Sequence, residues 1–261
     1  MIELTGLQVK DFIHPEESVA WNALMKATWL KRLLDWLGSY QARLELKTNL
    51  LGNTFGVTRE DMPELYCMIR EVCDVLDYRQ PIQVYVYRSS DLDIKIYYGD
   101  TPVLIYPDFI LNDYDRDMIR FETGRAVTML KSDNAQLRVA LWAAIPLVSG
   151  IPAVGEVAVP VLASWLRKAD YTEDRGGLLV CQNMGIAAKT LMRRCGLPTR
   201  YIDVSVLPAY LRTCKAASGL SGVSQAAQTL YRAAAWNNDR VTELYKWYSS
   251  GMYDDLVEEF E

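Results

Sequence analysis

The chain has 261 residues, half of them hydrophobic and 23% charged, with 15 Gly and 10 Pro. That balance excludes a disordered, collagenous or low-complexity polypeptide and leaves enough apolar material for one large domain or two small ones. Its 28 Lys and Arg against 33 Asp and Glu give a formal charge of −5, and no basic run could track a phosphate backbone, which argues against a nucleic-acid partner.

His14, beside Pro15, is the only histidine, so chemistry that needs two imidazoles is excluded. The five cysteines (Cys67, Cys73, Cys181, Cys195 and Cys214) form no CxxC pair, and reduced, mostly buried thiols are expected. Met1 to Phe12 carries Glu3, Lys10 and Asp11 without a long apolar stretch, and Glu258 to Glu261 offers no lipidation box. A cytoplasmic address is the expectation, with a membrane-peripheral one as its variant.

In chain order, Trp21, Leu24, Met25, Trp29, Leu33, Leu34 and Leu37 recur at spacings of three and four, which predicts a helical entry from Pro15 to Leu46. After Gly52 and Gly56, Thr58 opens a second helix whose stripe is Leu65, Met68, Ile69, Val72 and Val75. The period then changes. Pro81 to Tyr87, Leu92 to Tyr98 and Pro102 to Tyr106 are rich in Val, Ile and Tyr and read as strands. From Tyr114 to Lys131 the helical period returns, with Met118, Phe121, Val127 and Leu130 apolar and Asp113 or Asn112 able to cap it.

Val139 to Leu166 holds one charge, Glu156, and is interrupted by Pro146, Gly150, Pro152, Gly155 and Pro160. Neither apolar piece reaches the roughly 20 residues of a spanning helix, so a buried hairpin or a membrane-touching surface is predicted. Ala169 to Cys195 reads as one long helix stopped by Gly196 and Pro198, and Val204 to Phe260 as helices punctuated at Ser218 to Ser224 and Gly251. With no repeat and no linker composition, the reading is a single helix-rich α+β domain over 1–261. It comprises a helical entry (1–80), a sheet-and-helix middle (81–196) and C-terminal helices (197–261).

Several stretches carry a further likeness in this order. They are His14-Pro15-Glu16, Tyr85-Val86-Tyr87, Pro102-Val103-Leu104-Ile105, Asp115 to Arg125, Ala169 to Leu179, and Arg240, Glu243-Leu244, Trp247 and Ser250 to Tyr253. Together they resemble the cytosolic members of the HtpX and CAAX-prenyl-protease type of zinc metallopeptidase, over nearly the whole chain. The resemblance implies a zincin-like fold, a small sheet over a central helix bearing HExxH, and a third ligand in a downstream ExxxD motif.

At the five HExxH positions this chain reads Phe121-Glu122-Thr123-Gly124-Arg125. Phe121 has no lone pair to donate and Arg125 is a permanent cation, so both imidazole ligands are lost and only the general-base position, Glu122, persists. Asp170 stands at the third-ligand position and Asp174 at the motif's closing acid. No catalytic residue and no cofactor, zinc included, is therefore expected. If the family fold is kept, Arg125 is expected to hold Glu122 and Asp170 in a charge-assisted fork with Phe121 filling the remaining space; the alternative is a surface pair between Glu122 and Arg125 one turn apart.

The reading is a pseudoenzyme: a metallopeptidase-like protein that binds a polypeptide or assembles into a complex with a protein partner. By resemblance, Thr101 to Pro107 would be the edge strand of a peptide groove, with Val103, Leu104, Ile105 and Tyr106 as its contacts. Two alternatives stand beside it: a hydrolase with altered, non-zinc chemistry on Glu122 and Asp170, and a membrane-associated subunit docking through 139–166. Lys95, Tyr97 and Tyr98 could steady an oxyanion or simply pack on a strand. Cys181 and Cys195 lack a histidine to activate them. No GxGxxG, Walker or GxSxG sequence is present.

Overall fold

The computed structural model describes residues 2–25, 52–97, 101–132, 154–202, 207–218 and 237–260. A short helix α1 (Val9–Phe12) leads into α2 (Pro15–Met25), followed by strand β1 (Thr54–Gly56) and helix α3 (Pro63–Val75). Pro63 starts α3 at the position where a missing N–H costs nothing, and Leu65, Met68, Ile69, Val72 and Val75 form its buried stripe as their spacing predicts. The rest of the predicted entry helix, to Leu46, lies outside the described residues.

The three predicted strands form as β2 (Gln83–Tyr87), β3 (Lys95–Tyr97) and β4 (Val103–Pro107). They join β1 in a four-stranded mixed sheet of order β1-β2-β4-β3. β2 and β4 run parallel, pairing Gln83 with Val103 and Val86 with Tyr106, while β3 folds back antiparallel and pairs Ile96 with Leu104. The chain is thus helix-rich α+β. β1 is short and its Phe55 is exposed, which is why no alternating apolar pattern announces it.

After α4 (Asp108–Asp113) comes the central helix α5 (Arg116–Lys131). Its cap is Asp115, whose carboxylate accepts from the Met118 amide at 2.9 Å. Neither Asn112 nor Asp113 caps it, because both belong to α4; the Asp113 carboxylate is instead 2.6 Å from Arg193.

Helix α6 (Val154–Cys181) runs unbroken through Pro160, so the second half of the predicted hairpin and the start of the predicted following helix are one element. Residues 139–153 lie outside the described residues. The predicted Ala169–Cys195 helix is also corrected: it breaks at Gln182, which adopts a left-handed backbone (φ 49°). Asn183 caps the next helix, α7 (Met184–Arg194), accepting from the Ile186 amide at 3.1 Å. Asn tolerates this turn-and-cap geometry well, and no Gly or Pro marks the break. Then follow α8 (Leu207–Ser218), α9 (Asn237–Ser249) and α10 (Met252–Phe260), the last two separated at Gly251 (φ 86°).

Glycines line the crossing of α5 and α6 and let the two helices approach closely. A Cβ at Gly177 would stand 2.8 Å from the Phe121 ring and 2.9 Å from the Phe121 carbonyl oxygen, and one at Gly124 would stand 2.9 Å from Val180. One cluster of buried apolar side chains joins both ends of the chain, from Leu4 and Leu7 through Phe121 and Leu178 to Trp247 and Leu256. Among the described residues no helix is long and apolar enough to cross a membrane.

Candidate functional site

The α5–α6 crossing brings charged side chains into the interior. Asp170, Glu173 and Asp174 fall at i, i+3 and i+4, which sets them on one face of α6, and Glu122 and Arg125 stand one turn apart on α5. Arg194 enters from the last turn of α7 and Arg240 from α9. All seven side chains are largely withdrawn from solvent.

Arg125 is the hub. Its Nη1 donates to Glu122 Oε2 at 2.8 Å, its Nη2 donates to Glu173 Oε2 at 3.0 Å, and its Nε lies 2.8 Å from Asp174 Oδ1. Asp170, expected as the second arm of the fork, is further off at 3.9 Å from Nη2. The reason is geometric: Glu173 and Asp174 come from the same helix face as Asp170, and they are the acids that reach the guanidinium edge.

Glu122 is gripped a second time. Arg194 donates through Nε to Oε1 at 2.7 Å and through Nη2 to Oε2 at 2.9 Å, a bidentate pair. The same Nη2 also donates to the Leu92 carbonyl and to Asp93 Oδ1, both at 2.7 Å. Arg240 holds Asp174 in the same way, with Nε to Oδ2 at 2.8 Å and Nη2 to Oδ1 at 2.6 Å. The surface-pair alternative for Glu122 and Arg125 is therefore overturned. The pair is buried, and charges stripped of water are tolerated there because each guanidinium meets carboxylates at hydrogen-bond range.

The protonation states follow. Burial pushes the Glu122 carboxyl up, but the Arg194 and Arg125 charges pull it down by more, and it stays below its ordinary value. For Arg125, burial and the like charge of Arg194 both disfavour the cation, yet Glu122, Asp174 and Glu173 outweigh them and raise its pKa. Asp93 is held well below the usual carboxylate range, chiefly by Arg194. A carboxylate whose two oxygens are both committed to guanidinium donors is a weak base, which disfavours acid/base chemistry on Glu122.

The residues at the positions where the resemblance would put zinc ligands do not fit that ion. Phe121 is fully buried with its ring on Gly177, and Arg125 puts a cation among the acids that remain. Among the described residues, no group of three or more His, Cys, Asp and Glu side chains is arranged to hold a metal. Tyr114 is buried close to the cluster, and its hydroxyl finds no hydrogen-bond partner among the described residues. Burial, and after it the Glu122 charge, drive its pKa upward.

Thr101 to Pro107 is not an edge. β4 within it is paired on both sides, by β2 and by β3, and Val103, Leu104, Ile105 and Tyr106 are all buried. Tyr106 shares a hydrogen bond with Thr123 Oγ1 at 2.9 Å, so this strand fastens the sheet to the central helix and has no free ladder to offer. The physical reason is that β3 folds back antiparallel and covers that flank of β4.

His14 makes its contacts outside the cluster. Its Nδ1 accepts from the Glu16 amide at 3.3 Å at the start of α2, its Nε2 is 3.5 Å from Glu243 Oε2, and its ring packs on Tyr171. Burial raises the thiol pKa of Cys195, and that of Cys181 to about 12, so neither is an activated nucleophile. Lys95 sits over the Tyr87 ring and 3.2 Å from Asp91, an ordinary strand-face contact, while Tyr98 lies outside the described residues.

Sequence reasoning missed Arg194 and Asp93 altogether and gave Glu173 and Arg240 no role. Arg193 and Arg194 at a helix C-terminus read as a favourable dipole pairing, and Asp93 follows a serine-rich turn. Comparison of the chain with family models, with curated proteins and with solved structures finds no match.

Proposed function

We propose that this chain is a noncatalytic protein built on a metallopeptidase-like plan, degenerate at its HExxH positions, that works in the cytoplasm by binding a polypeptide or by assembling into a complex with a protein partner. One observation carries the reading. The Arg125 guanidinium stands among Glu122, Glu173 and Asp174, where the resemblance would place a divalent ion, and pairs its positive charge with theirs. Arg194 completes the neutralisation of Glu122. A buried, charge-paired centre of this kind ties α5, α6, α7 and α9 together, and its carboxylates are committed to guanidinium groups, which suits a scaffold.

The test is direct. Purified protein is incubated with zinc, analysed for bound metal, and assayed on a quenched fluorescent protein substrate, while native protein is affinity-isolated to identify stoichiometric companions. Little bound metal, no cleavage and a reproducible protein companion are expected. Stoichiometric zinc together with cleavage would overturn the reading.

A further inference from the structure

The geometry points to a carboxylate-recognition site at the mouth of the arginine cluster, occupied in this structure by the chain's own Asp93 and open to a polypeptide carboxylate when Asp93 withdraws. This rests on the polypeptide-binding reading above and names the chemistry its partner must present.

Asp93 differs from the other acids of the cluster. Its side chain is 72% exposed, whereas those of Glu122 and Asp174 are 1% exposed. It reaches inward from irregular chain to meet Arg194 Nη2 at 2.7 Å, and its Oδ1 is also 3.8 Å from Arg125 Nη1. Two buried cations thus present one edge each to a carboxylate that arrives from outside.

The Asp93 contact is also the spare one. Arg194 Nη2 has two hydrogens but faces three acceptors: Glu122 Oε2, the Leu92 carbonyl and Asp93 Oδ1. When Asp93 leaves, Arg194 keeps its bidentate hold on Glu122 and its bond to Leu92, so the core of the cluster persists. Exchanging one carboxylate for another leaves the charge of the site unchanged.

The neighbouring backbone supplies the rest of a recognition surface. Asp93 lies just before β3, which is an end strand of the sheet, with no strand beyond it among the described residues. An extended segment pairing with β3 would bring a carboxylate to the place Asp93 now takes, with ladder hydrogen bonds giving affinity and the arginines giving selectivity. The carboxylate could be a chain terminus or an acidic side chain.

The experiment compares wild type with Asp93→Ala and Asp93→Asn, using three labelled short peptides of one sequence: free C-terminus, amidated C-terminus, and amidated with one internal Glu. Fluorescence anisotropy is the readout. Both variants are expected to unfold cooperatively near the wild-type temperature. Both should bind a carboxylate-bearing peptide about tenfold more tightly than the fully amidated one, the loss that removing a charge-assisted hydrogen bond brings. Wild type should bind the same peptide more weakly. Preference for the free terminus over the internal Glu identifies a chain end as the ligand, and the reverse identifies a side chain. Equal binding of all three peptides by folded variants would overturn the inference, and so would failure of both variants to fold, since Asp93 would then be a fixed part of the core. Either outcome leaves the noncatalytic reading standing, because that reading is decided by zinc and cleavage.

Discussion

Arg240 and Asp174 meet edge to edge across helices α9 and α6, with the two carboxylate oxygens 2.6 and 2.8 Å from Nη2 and Nε. Asp174 simultaneously stands 2.8 Å from Arg125 Nε, so a single carboxylate joins the C-terminal part of the chain to the central helix. Asp174→Asn removes the countercharge of two buried guanidiniums at once. Breaking a buried pair from one side costs about 3 to 5 kcal/mol, so urea denaturation should show a loss in that range. Arg240→Met leaves Asp174 still paired with Arg125 and should cost less. The double variant should lose clearly less than the sum of the singles, because the two residues share one interaction.

The close approach of α5 and α6 makes a second prediction. Gly177→Ala would improve intrinsic helix propensity by about 1 kcal/mol, but its new methyl would stand 2.9 Å from the Phe121 carbonyl oxygen, which cannot move without moving the helix. Overpacking of this kind costs about 1 to 3 kcal/mol, so the net change should be destabilising and visible as a lower midpoint of thermal unfolding. An increase in the midpoint would show that the helices have room to separate.

A pH dependence follows from Glu243. A hydrogen bond from His14, opposed by burial and reinforced by Lys246, lowers its carboxyl to about 2. His14 Nε2 stands 3.5 Å from Glu243 Oε2. Because the folded pKa is depressed, the contribution is fully present above the ordinary carboxylate range and is lost as pH falls towards the folded value. Unfolding free energy measured between about pH 5 and about pH 2 should therefore fall more steeply in wild type than in His14→Ala. Parallel curves would mean that the contact does not bias the Glu243 proton.

Much of the fold was legible because periodicity reports burial. The α3 stripe, the central helix and the three strands rich in Val, Ile and Tyr all fall where their spacing puts them. The break at Gln182 was not legible, since a single left-handed residue followed by a capping Asn leaves the apolar pattern on both sides intact. At the site, Glu122 and Arg125 were found because both lie within one short motif on one helix. Arg194, Glu173 and Asp93 were not found, because an arginine at a helix end or an aspartate in a turn has an ordinary explanation until tertiary contacts bring it to a buried partner. β4 shows the same limit in the sheet: strand identity is local, but whether a strand lies at an edge depends on where β3 returns.

Arg175 carries the last prediction. It is buried on α6, donates to the Phe12 and Ile13 carbonyls at 3.1 and 3.0 Å, and places its guanidinium 4.9 Å from the Trp247 ring centroid. One planar group thus pins the N-terminal segment and α9 to the same point of α6. Lysine keeps the charge but cannot serve two carbonyls from a flat, stackable surface. Arg175→Lys should therefore lose about 1 to 3 kcal/mol of stability, the cost of leaving buried acceptors unmet. Limited proteolysis under native conditions should cut the variant before His14 sooner than wild type, since the segment from Val9 to Ile13 loses its anchor. If Arg175→Lys is cut at the wild-type rate, the segment is held by Leu4, Leu7 and Phe12 in the core, and the guanidinium serves α9 alone.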